Sequence, residues 1–344
     1  MKHPAYHLRV NKAIDRFLLV QILDILRTQD NIKMSDYTYY GFGGPFLEDC
    51  RLIYDRCPEI QIVSIEKNLA TFKRQEFHCF SKKLELINDD FTSFLVHFSS
   101  KGREIFWLDY TNLNLGHFNN FKDVLGKVSE NSIVKITIPA EPPPNELASE
   151  NREEKWEDFR DRYREEKWKI FQEKYRAEKW KDFVEKYNEI LPPEAQPTDI
   201  ERQWPFTKLL QEMLQLASQQ ALPASGESIF QLLNSSHYND QTQMLSITGI
   251  VCNRNEVPKI RRWFKNWRFI NLEWEDPHKI EVPILSIKER LHLEEYLPTT
   301  KKTGLFLSRA LGYRIDNTRN KHIEQLKQYE EFYQYYPYFA RVLI

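Results

Sequence analysis

Residues 38–48 read Thr-Tyr-Tyr-Gly-Phe-Gly-Gly-Pro-Phe-Leu-Glu and hold three of the ten glycines of the chain, Gly41, Gly43 and Gly44. The aromatic and β-branched residues before the glycines are typical of a strand, and the apolar spacing over 46–55 predicts a helix. A strand, a glycine turn and a helix form the phosphate- or cofactor-binding corner of an open α/β sheet, because glycine permits positive φ and close approach to backbone N–H groups. The same turn also joins strands to helices in proteins that bind nothing, so it does not establish a site by itself.

Acidic residues end the next three predicted strands. They are Glu66, then Asp89 with Asp90, and then Asp109. Helical patterns between the strands indicate parallel strands joined by right-handed crossovers. Because ligands of such sheets bind at the carboxyl ends of the strands, the acids should converge on one crevice. Glu66 follows the glycines by about 20–25 residues, where a carboxylate binds ribose hydroxyls in doubly wound folds.

Four motifs resemble, in order and in spacing, those of class I S-adenosylmethionine-dependent methyltransferases. They are Gly41-Phe-Gly-Gly44, Ile65-Glu66-Lys67, Asn88-Asp-Asp-Phe91 and Trp107-Leu-Asp-Tyr110. Residues 6–16 are similar to the opening segment of bacterial proteins described as putative O-methyltransferases. The usual glycine motif begins with an acid, whereas Tyr39 stands at that position here and Pro45 ends the glycine run.

The resemblance implies a methyltransferase that uses S-adenosylmethionine and acts on an oxygen of an unknown acceptor. It implies that the cofactor is bound by residues of the first three motifs: Gly41, Gly43, Gly44, Glu66, Lys67, Asp89, Asp90 and Phe91. Asp109 and Tyr110 would lie nearest the transferred methyl group and are the catalytic candidates. Enzymes that methylate base amino groups carry an Asn/Asp-Pro-Pro-Tyr/Phe motif, and the segment Asp109-Tyr-Thr-Asn112 does not match it.

Two other functions remain open. The altered glycine motif and the large helical additions also fit a non-catalytic Rossmann-like subunit that binds a nucleotide or a partner protein. An NAD-dependent oxidoreductase would share Glu66 but needs a third glycine, and Phe46 stands three residues after Gly43. The acids also have structural interpretations, since Asp89 could cap the next helix and Glu66 could lie in a surface turn.

The resemblance implies an α/β fold: a Rossmann-like class I methyltransferase sheet of five parallel strands and a late strand pair, with a charged helical insertion and a helical C-terminal region. We predict the late strands at 243–251 and 268–274. The predicted segments are a leader helix (1–30), the cofactor-binding core (31–142), the insertion (143–228), the completion of the sheet (229–285) and the C-terminal helices (286–344). Lys12 and Arg16 on the leader either neutralise a carboxylate of substrate or cofactor or belong to a solvated charged face.

The composition argues against several classes of protein. A formal net charge of −1 gives no global attraction to nucleic acid or anionic membrane. The sequence has no apolar run of the roughly 20 residues that a membrane span requires, and the first eight residues lack a signal-peptide core, so we expect a cytoplasmic protein. The four cysteines include no Cys-x-x-Cys pair, and the pair His78-Cys79 is more typical of packing than of metal binding, so we predict no metal.

Three tandem copies of a 12-residue unit, Arg-x-Glu-Lys-Trp-x-x-Phe-x-x-x-Tyr, occupy 152–163, 164–175 and 176–187. Within a copy the aromatic residues share one helix face, but a step of 12 residues turns that face by about 120°. The helix must therefore break into a hairpin or leave part of the aromatic stripe exposed. The region 151–190 is either an arm that contacts a protein partner or nucleic acid, or a charged helical insertion, which we favour.

The strongest local basic patch consists of Lys259, Arg261, Arg262 and Lys265 between tryptophans. Such a patch could contact phosphates. We favour an amphipathic helix whose apolar side faces inward, and therefore do not favour nucleic acid as a partner. The C-terminal region shows no chemistry and is either packing or a surface for a protein partner.

Overall fold

A mixed eight-stranded sheet forms the centre of the protein in a computed structural model that describes residues 9–143, 165–299 and 303–337. Its strands are β1 Tyr37–Gly41, β2 Gln61–Ile65, β3 Leu84–Ile87, β4 Arg103–Asp109, β5 Ile133–Pro139, β6 Ser228–Asn239, β7 Gln243–Asn253 and β8 His278–Ile280. They lie side by side in the order β3-β2-β1-β4-β5-β7-β6-β8. The predicted division into five segments stays a prediction.

Strands β1 to β5 are parallel, whereas β7 runs antiparallel between β5 and β6. The short β8 adds a parallel strand beyond β6, which was not predicted. Gly41, the last residue of β1, lies opposite Ser64 of β2 and Trp107 of β4, so the central strands end at one edge. The predicted Rossmann-like α/β sheet with five parallel strands is confirmed.

Helices cover both faces of the sheet. In the described residues they are α1 Val10–Arg27, α2 Glu48–Arg56, α3 Leu69–His78, α4 Phe91–His97, α5 Leu115–Lys127, α6 Glu165–Tyr187, α7 Gln203–Ala221, α8 Val257–Phe264, α9 Ile287–Glu294, α10 Thr303–Leu311 and α11 Arg319–Phe332. Side chains of β4 alternate between the faces: Phe106 and Leu108 pack with α4 to α7, and Ile105 and Trp107 pack with α1, α2 and α8. The helices predicted between the parallel strands are present, and the helix predicted over 46–55 has shifted ends.

Helix α2 begins two residues later than its apolar pattern predicts. Gly43, Gly44 and Leu47 have φ values of 65°, 57° and 56°, which a right-handed helix cannot contain. The left-handed backbone therefore extends past the glycines to Leu47, and the helix starts at Glu48.

Only one of the two predicted late strands is present. Strand β7 confirms the strand predicted at 243–251, but residues 268–274 form no strand, and β6 takes that place. Side-chain amides of β6 donate to carbonyls of this segment, Gln231 Nε2 to Leu272 O at 3.0 Å and Asn234 Nδ2 to Phe269 O at 2.7 Å. The segment is thus held to the sheet edge through side chains. Polar residues of β6 are buried against it and give that strand no apolar signature.

Residues 165–187, which hold the third repeat and all but the first residue of the second, form one continuous helix, α6, without the hairpin that the winding stripe allowed. The third copy packs inward, since Phe183 and Tyr187 are buried with α5 and α7 and Trp180 is partly buried there. Tyr187 Oη donates to Leu113 O at 3.5 Å. The first repeat, 152–163, and the start of the segment 6–16 lie outside the described residues.

The basic patch lies on α8 and has the inward-facing apolar side that we favoured, with Ile260 and Phe264 buried. Two of its cations pair with carboxylates of the chain, Arg261 with Glu273 and Lys259 with Glu256. These pairs reduce the charge that the patch presents. Contact of this patch with nucleic acid stays the alternative that we do not favour, and contact of the 151–190 region or the C-terminal region with a protein partner stays a prediction.

Helix α1 is fastened to the sheet by polar contacts near its start. Asp240, in the β6–β7 turn, caps it from a distance, because its carboxylate accepts from the backbone N–H of Lys12 at 2.6 Å and of Asn11 at 3.3 Å. Lys135 Nζ of β5 donates to Asp15 Oδ1 at 2.9 Å, and both side chains are 0% exposed. Ser236 of β6 donates to the same oxygen at 2.9 Å. Buried ionic contacts and hydrogen bonds therefore hold the leader helix against the sheet.

We expect Lys135→Met to lower the free energy of unfolding by about 3–5 kcal/mol, because it leaves the Asp15 carboxylate buried without its cation. Denaturant unfolding would measure the loss. The double variant Lys135→Met, Asp15→Leu removes both charges and should recover most of the stability. A double variant as unstable as the single one would show that packing, not charge, holds the helix here.

Candidate functional site

A crevice of about 550 Å³ opens at the carboxyl ends of the central parallel strands. Nine of the ten predicted site residues line it: Gly43, Gly44, Glu66, Lys67, Asp89, Asp90, Phe91, Asp109 and Tyr110. Gly41 is the exception. A Cβ there would lie 2.5 Å from Tyr39 Oη, so Gly41 makes room for the neighbouring tyrosine rather than lining the crevice.

The glycine turn is shaped by packing on one side and is open on the other. A Cβ at Gly43 would lie 2.6 Å from Ser64 Oγ, whereas a Cβ at Gly44 would meet nothing within 4 Å. The buried side chain of Gln75 in α3 donates to Phe42 O at 3.0 Å and to Gly44 O at 2.9 Å. Gln75 therefore fixes the turn, a role that no local sequence pattern indicates.

Glu66 lies at the end of β2, half-buried in the crevice wall. Its Oε1 accepts from Asn68 N at 2.7 Å, and Asn88 Nδ2 donates to its backbone carbonyl at 2.6 Å. Burial raises the pKa of the Glu66 carboxyl. Glu66 thus shapes the turn into α3, as its structural interpretation predicts, and lines the crevice, while its binding of ribose stays a prediction.

The cap of α4 is Asp90, not Asp89. Asp90 Oδ2 accepts from Thr92 N at 3.0 Å, and its other oxygen lies 4.0 Å from Lys67 Nζ. Asp89 Oδ1 accepts from Asp90 N at 2.8 Å, and Asp89 lines the crevice. The structural role predicted for Asp89 therefore belongs to its neighbour.

The carboxylate of Asp109, at the end of β4, forms an ion pair with Lys12 from α1. The Asp109 side chain is 17% exposed and that of Lys12 is 7% exposed. The backbone N–H of Tyr110 donates to Thr137 O at 2.9 Å, and its hydroxyl accepts from Asn120 Nδ2 at 3.1 Å. Burial raises the pKa of the Tyr110 phenol, so it stays neutral at pH 7.

His117, near the start of α5, was not predicted from the sequence. Its ring stacks on Tyr110 with centroids 3.7 Å apart, and it lines the crevice. Burial lowers the pKa of His117 to about 4, and the ring bonds to the backbone of Asn112. Its Nδ1 is buried and has no hydrogen-bond partner among the described residues. A neutral imidazole therefore lines the crevice, with its Nδ1 enclosed by the protein.

Arg16 enters the crevice from α1 and meets two acids of α2 that were not predicted. Its Nε donates to Asp49 Oδ1 at 2.5 Å, and its Nη2 lies 3.3 Å from Glu48 Oε2. Burial acts to lower the pKa of the Arg16 guanidinium, but these carboxylates outweigh it, so its pKa is raised. With Lys12 also paired, the interpretation of these cations as a solvated face is wrong.

Within 9–143, 165–299 and 303–337, no cluster of three or more His, Cys, Asp or Glu side chains has the arrangement of a metal site. His78 packs against the ring of Phe46, with centroids 5.3 Å apart. None of the helices in these ranges is both long and apolar enough to span a membrane.

Comparison with known proteins gave one family and several distant structures. A family model described as "Putative O-methyltransferase" matches residues 4–344. A search of curated proteins gave no match. Similar solved structures include a probable spermidine synthase from Corynebacterium glutamicum (11% identity, TM-score 0.33), a fibrillarin/Nop5p complex (12%, 0.35) and the plantazolicin methyltransferase BamL in complex with a desmethylPZN analogue and SAH (12%, 0.34).

The alignments with these three structures cover 39%, 69% and 70% of this chain and 49%, 82% and 86% of the others. The chain thus spans about half the length of the spermidine synthase.

We expect acid to destabilise the fold through His117. Its pKa is about 4 in the folded chain against an ordinary value of 6.5. Between these values the unfolded chain binds a proton that the folded chain does not, so stability falls as the pH falls from 6.5 towards 4. His117→Gln removes this titration, and its melting temperature should fall less than that of wild type between pH 7 and pH 5.

The exposed His97 provides the control for this measurement, since His97→Gln should keep the wild-type pH dependence. Equal slopes for all three proteins would show that His117 does not resist protonation in the fold.

Proposed function

The chain belongs to the putative O-methyltransferase family, and on that premise we propose that it transfers a methyl group from S-adenosylmethionine to an oxygen atom of an acceptor. The observation that carries the proposal is the convergence of nine predicted site residues on one crevice at the carboxyl ends of the strands. Its volume of about 550 Å³ lies within the range of small-molecule sites.

The residues present fit the cofactor. Glu66 would accept hydrogen bonds from the ribose hydroxyls. The carboxylate of Asp89 is an acceptor suited to the adenine amino group. The open side of the turn at Gly44 leaves room for the methionine part of the molecule beside the backbone.

When bound, the cofactor supplies a methyl group on a positively charged sulfur. The protein then has to hold the acceptor oxygen in line with that methyl group and to remove a proton if the acceptor is a hydroxyl. We assign the proton to the carboxylate of Asp109, because Asp109 lies at the end of the central strand β4. The ammonium of Lys12 orients that carboxylate.

Tyr110 acts by position rather than as a base. Its phenol stays neutral at pH 7, and the contacts with Asn120 and His117 fix the ring in the crevice wall. Tyr110→Phe should therefore affect turnover less than Asp109→Asn does.

Calorimetric titration with S-adenosylmethionine, S-adenosylhomocysteine and NAD tests the proposal. We expect the first two to bind and NAD not to bind. Glu66→Gln should weaken binding of S-adenosylhomocysteine by about 1–3 kcal/mol, as expected for loss of a charge-assisted hydrogen bond. Glu85→Gln, on an exposed part of β3, is the matched control and should bind like wild type. Unchanged affinity in Glu66→Gln would remove Glu66 from the site.

Turnover separates an enzyme from a binding subunit. With a labelled methyl group and a panel of alcohols, phenols and carboxylic acids, we expect Asp109→Asn to lower the rate by about 10²–10⁴ with a hydroxyl acceptor. Its affinity for S-adenosylhomocysteine should stay close to that of wild type. If wild type binds both ligands and methylates no acceptor, the non-catalytic subunit becomes the better account.

A further inference from the structure

The walls of the crevice carry more negative than positive charge. Six carboxylates line it: Glu48, Asp49, Glu66, Asp89, Asp90 and Asp109. Three cations line it, Arg16, Lys67 and Arg74, and Lys12 reaches it as the partner of Asp109. The lining therefore carries two more negative than positive charges, or one more when the Glu66 carboxyl is protonated. His117 is neutral at pH 7 and does not change this balance.

The two signs are also distributed differently. Lys67 is 76% exposed, and Arg74 is exposed at the rim over the ring of Phe46. Solvent screens these two cations strongly, and it also screens Asp90, which is 48% exposed and lies 4.0 Å from Lys67. The inner cations, Lys12 and Arg16, already neutralise carboxylates of the protein, and Arg16 is shared between Asp49 and Glu48. The interior of the crevice is therefore more negative than the count alone indicates.

We propose that this charge makes the crevice prefer the methyl donor to its product. The inference rests on the proposed function. S-adenosylmethionine carries one positive charge more than S-adenosylhomocysteine, on the sulfonium that becomes a thioether when the methyl group leaves. A negative, partly desolvated crevice stabilises that charge and gains nothing comparable from the neutral sulfur. Methyl transfer thus removes the charge by which the crevice holds the ligand, and the product inhibits the protein weakly.

The test is a calorimetric titration of wild type with S-adenosylmethionine, S-adenosylhomocysteine and sinefungin, at low and high salt. Sinefungin carries an amine in place of the methylated sulfur, so it has the positive charge without a methyl group to donate. We expect both charged ligands to bind about fivefold more tightly than S-adenosylhomocysteine, with a smaller ratio at high salt. Equal or tighter binding of S-adenosylhomocysteine would overturn the inference and leave the proposed function standing. If none of the three binds, the proposed function fails and the inference fails with it.

A charge-removing variant makes the test specific to the crevice. Glu48 is 29% exposed and shares Arg16 with Asp49, so Glu48→Gln keeps the arginine paired. We expect it to weaken both charged ligands by about threefold and to leave S-adenosylhomocysteine unchanged. Glu130→Gln, in the exposed turn before β5 at the opposite edge of the sheet, should change none of them. An equal loss for all three ligands in Glu48→Gln would mean that the variant damages the site and that charge does not select the donor.

Discussion

The buried ion pair of Lys135 and Asp15 is the contact on which the geometry of the crevice depends. Burying two charges costs several kcal/mol for each ion, and their attraction repays this only with good geometry and further hydrogen bonds. Here Ser236 also donates to Asp15, and the Lys135 ammonium lies 5.0 Å from the centre of the Trp107 ring. The pair holds the second turn of α1 against β5 and β6, and Asp240 caps the start of the helix just after β6 ends.

The leader helix consequently brings two cations to the crevice in a fixed arrangement. Lys12 and Arg16 are four residues apart, so they share one face of the helix beside Asp15. One meets Asp109 at the end of β4, and the other meets Asp49 on α2. A segment that precedes the sheet in the sequence thus completes the wall of its crevice. The two cations of the leader are thus paired with carboxylates of the protein before any ligand enters.

The sequence predicts the parallel half of the sheet well because its signals are local. Each strand from β1 to β5 is an apolar run, and the glycine turn and the terminal acids lie directly beside these runs. The features that were missed depend on distant contacts. Strand β6 is buried but contains polar residues that form hydrogen bonds with another segment, so its sequence does not show an apolar strand. Gln75, Asp49 and His117 shape or line the crevice from helices, and the sequence patterns of those helices do not indicate this role. Asp89 and Asp90 are adjacent and chemically identical, so the sequence alone does not show which of them caps α4.

The continuous helix α6 gives the repeated unit a mechanical consequence. Its last copy is anchored beside Leu113, next to the loop that lines the crevice, while the preceding copy continues along the same axis. Adding or removing one 12-residue copy upstream of the anchor would shift everything beyond it by about 18 Å and turn it by about 120° around the axis. Because three steps of about 120° complete one turn, the number of copies would set one of three orientations around the helix axis. Duplication of the repeat could therefore change the direction in which the outer part of this segment faces, while every side chain at the crevice stays the same.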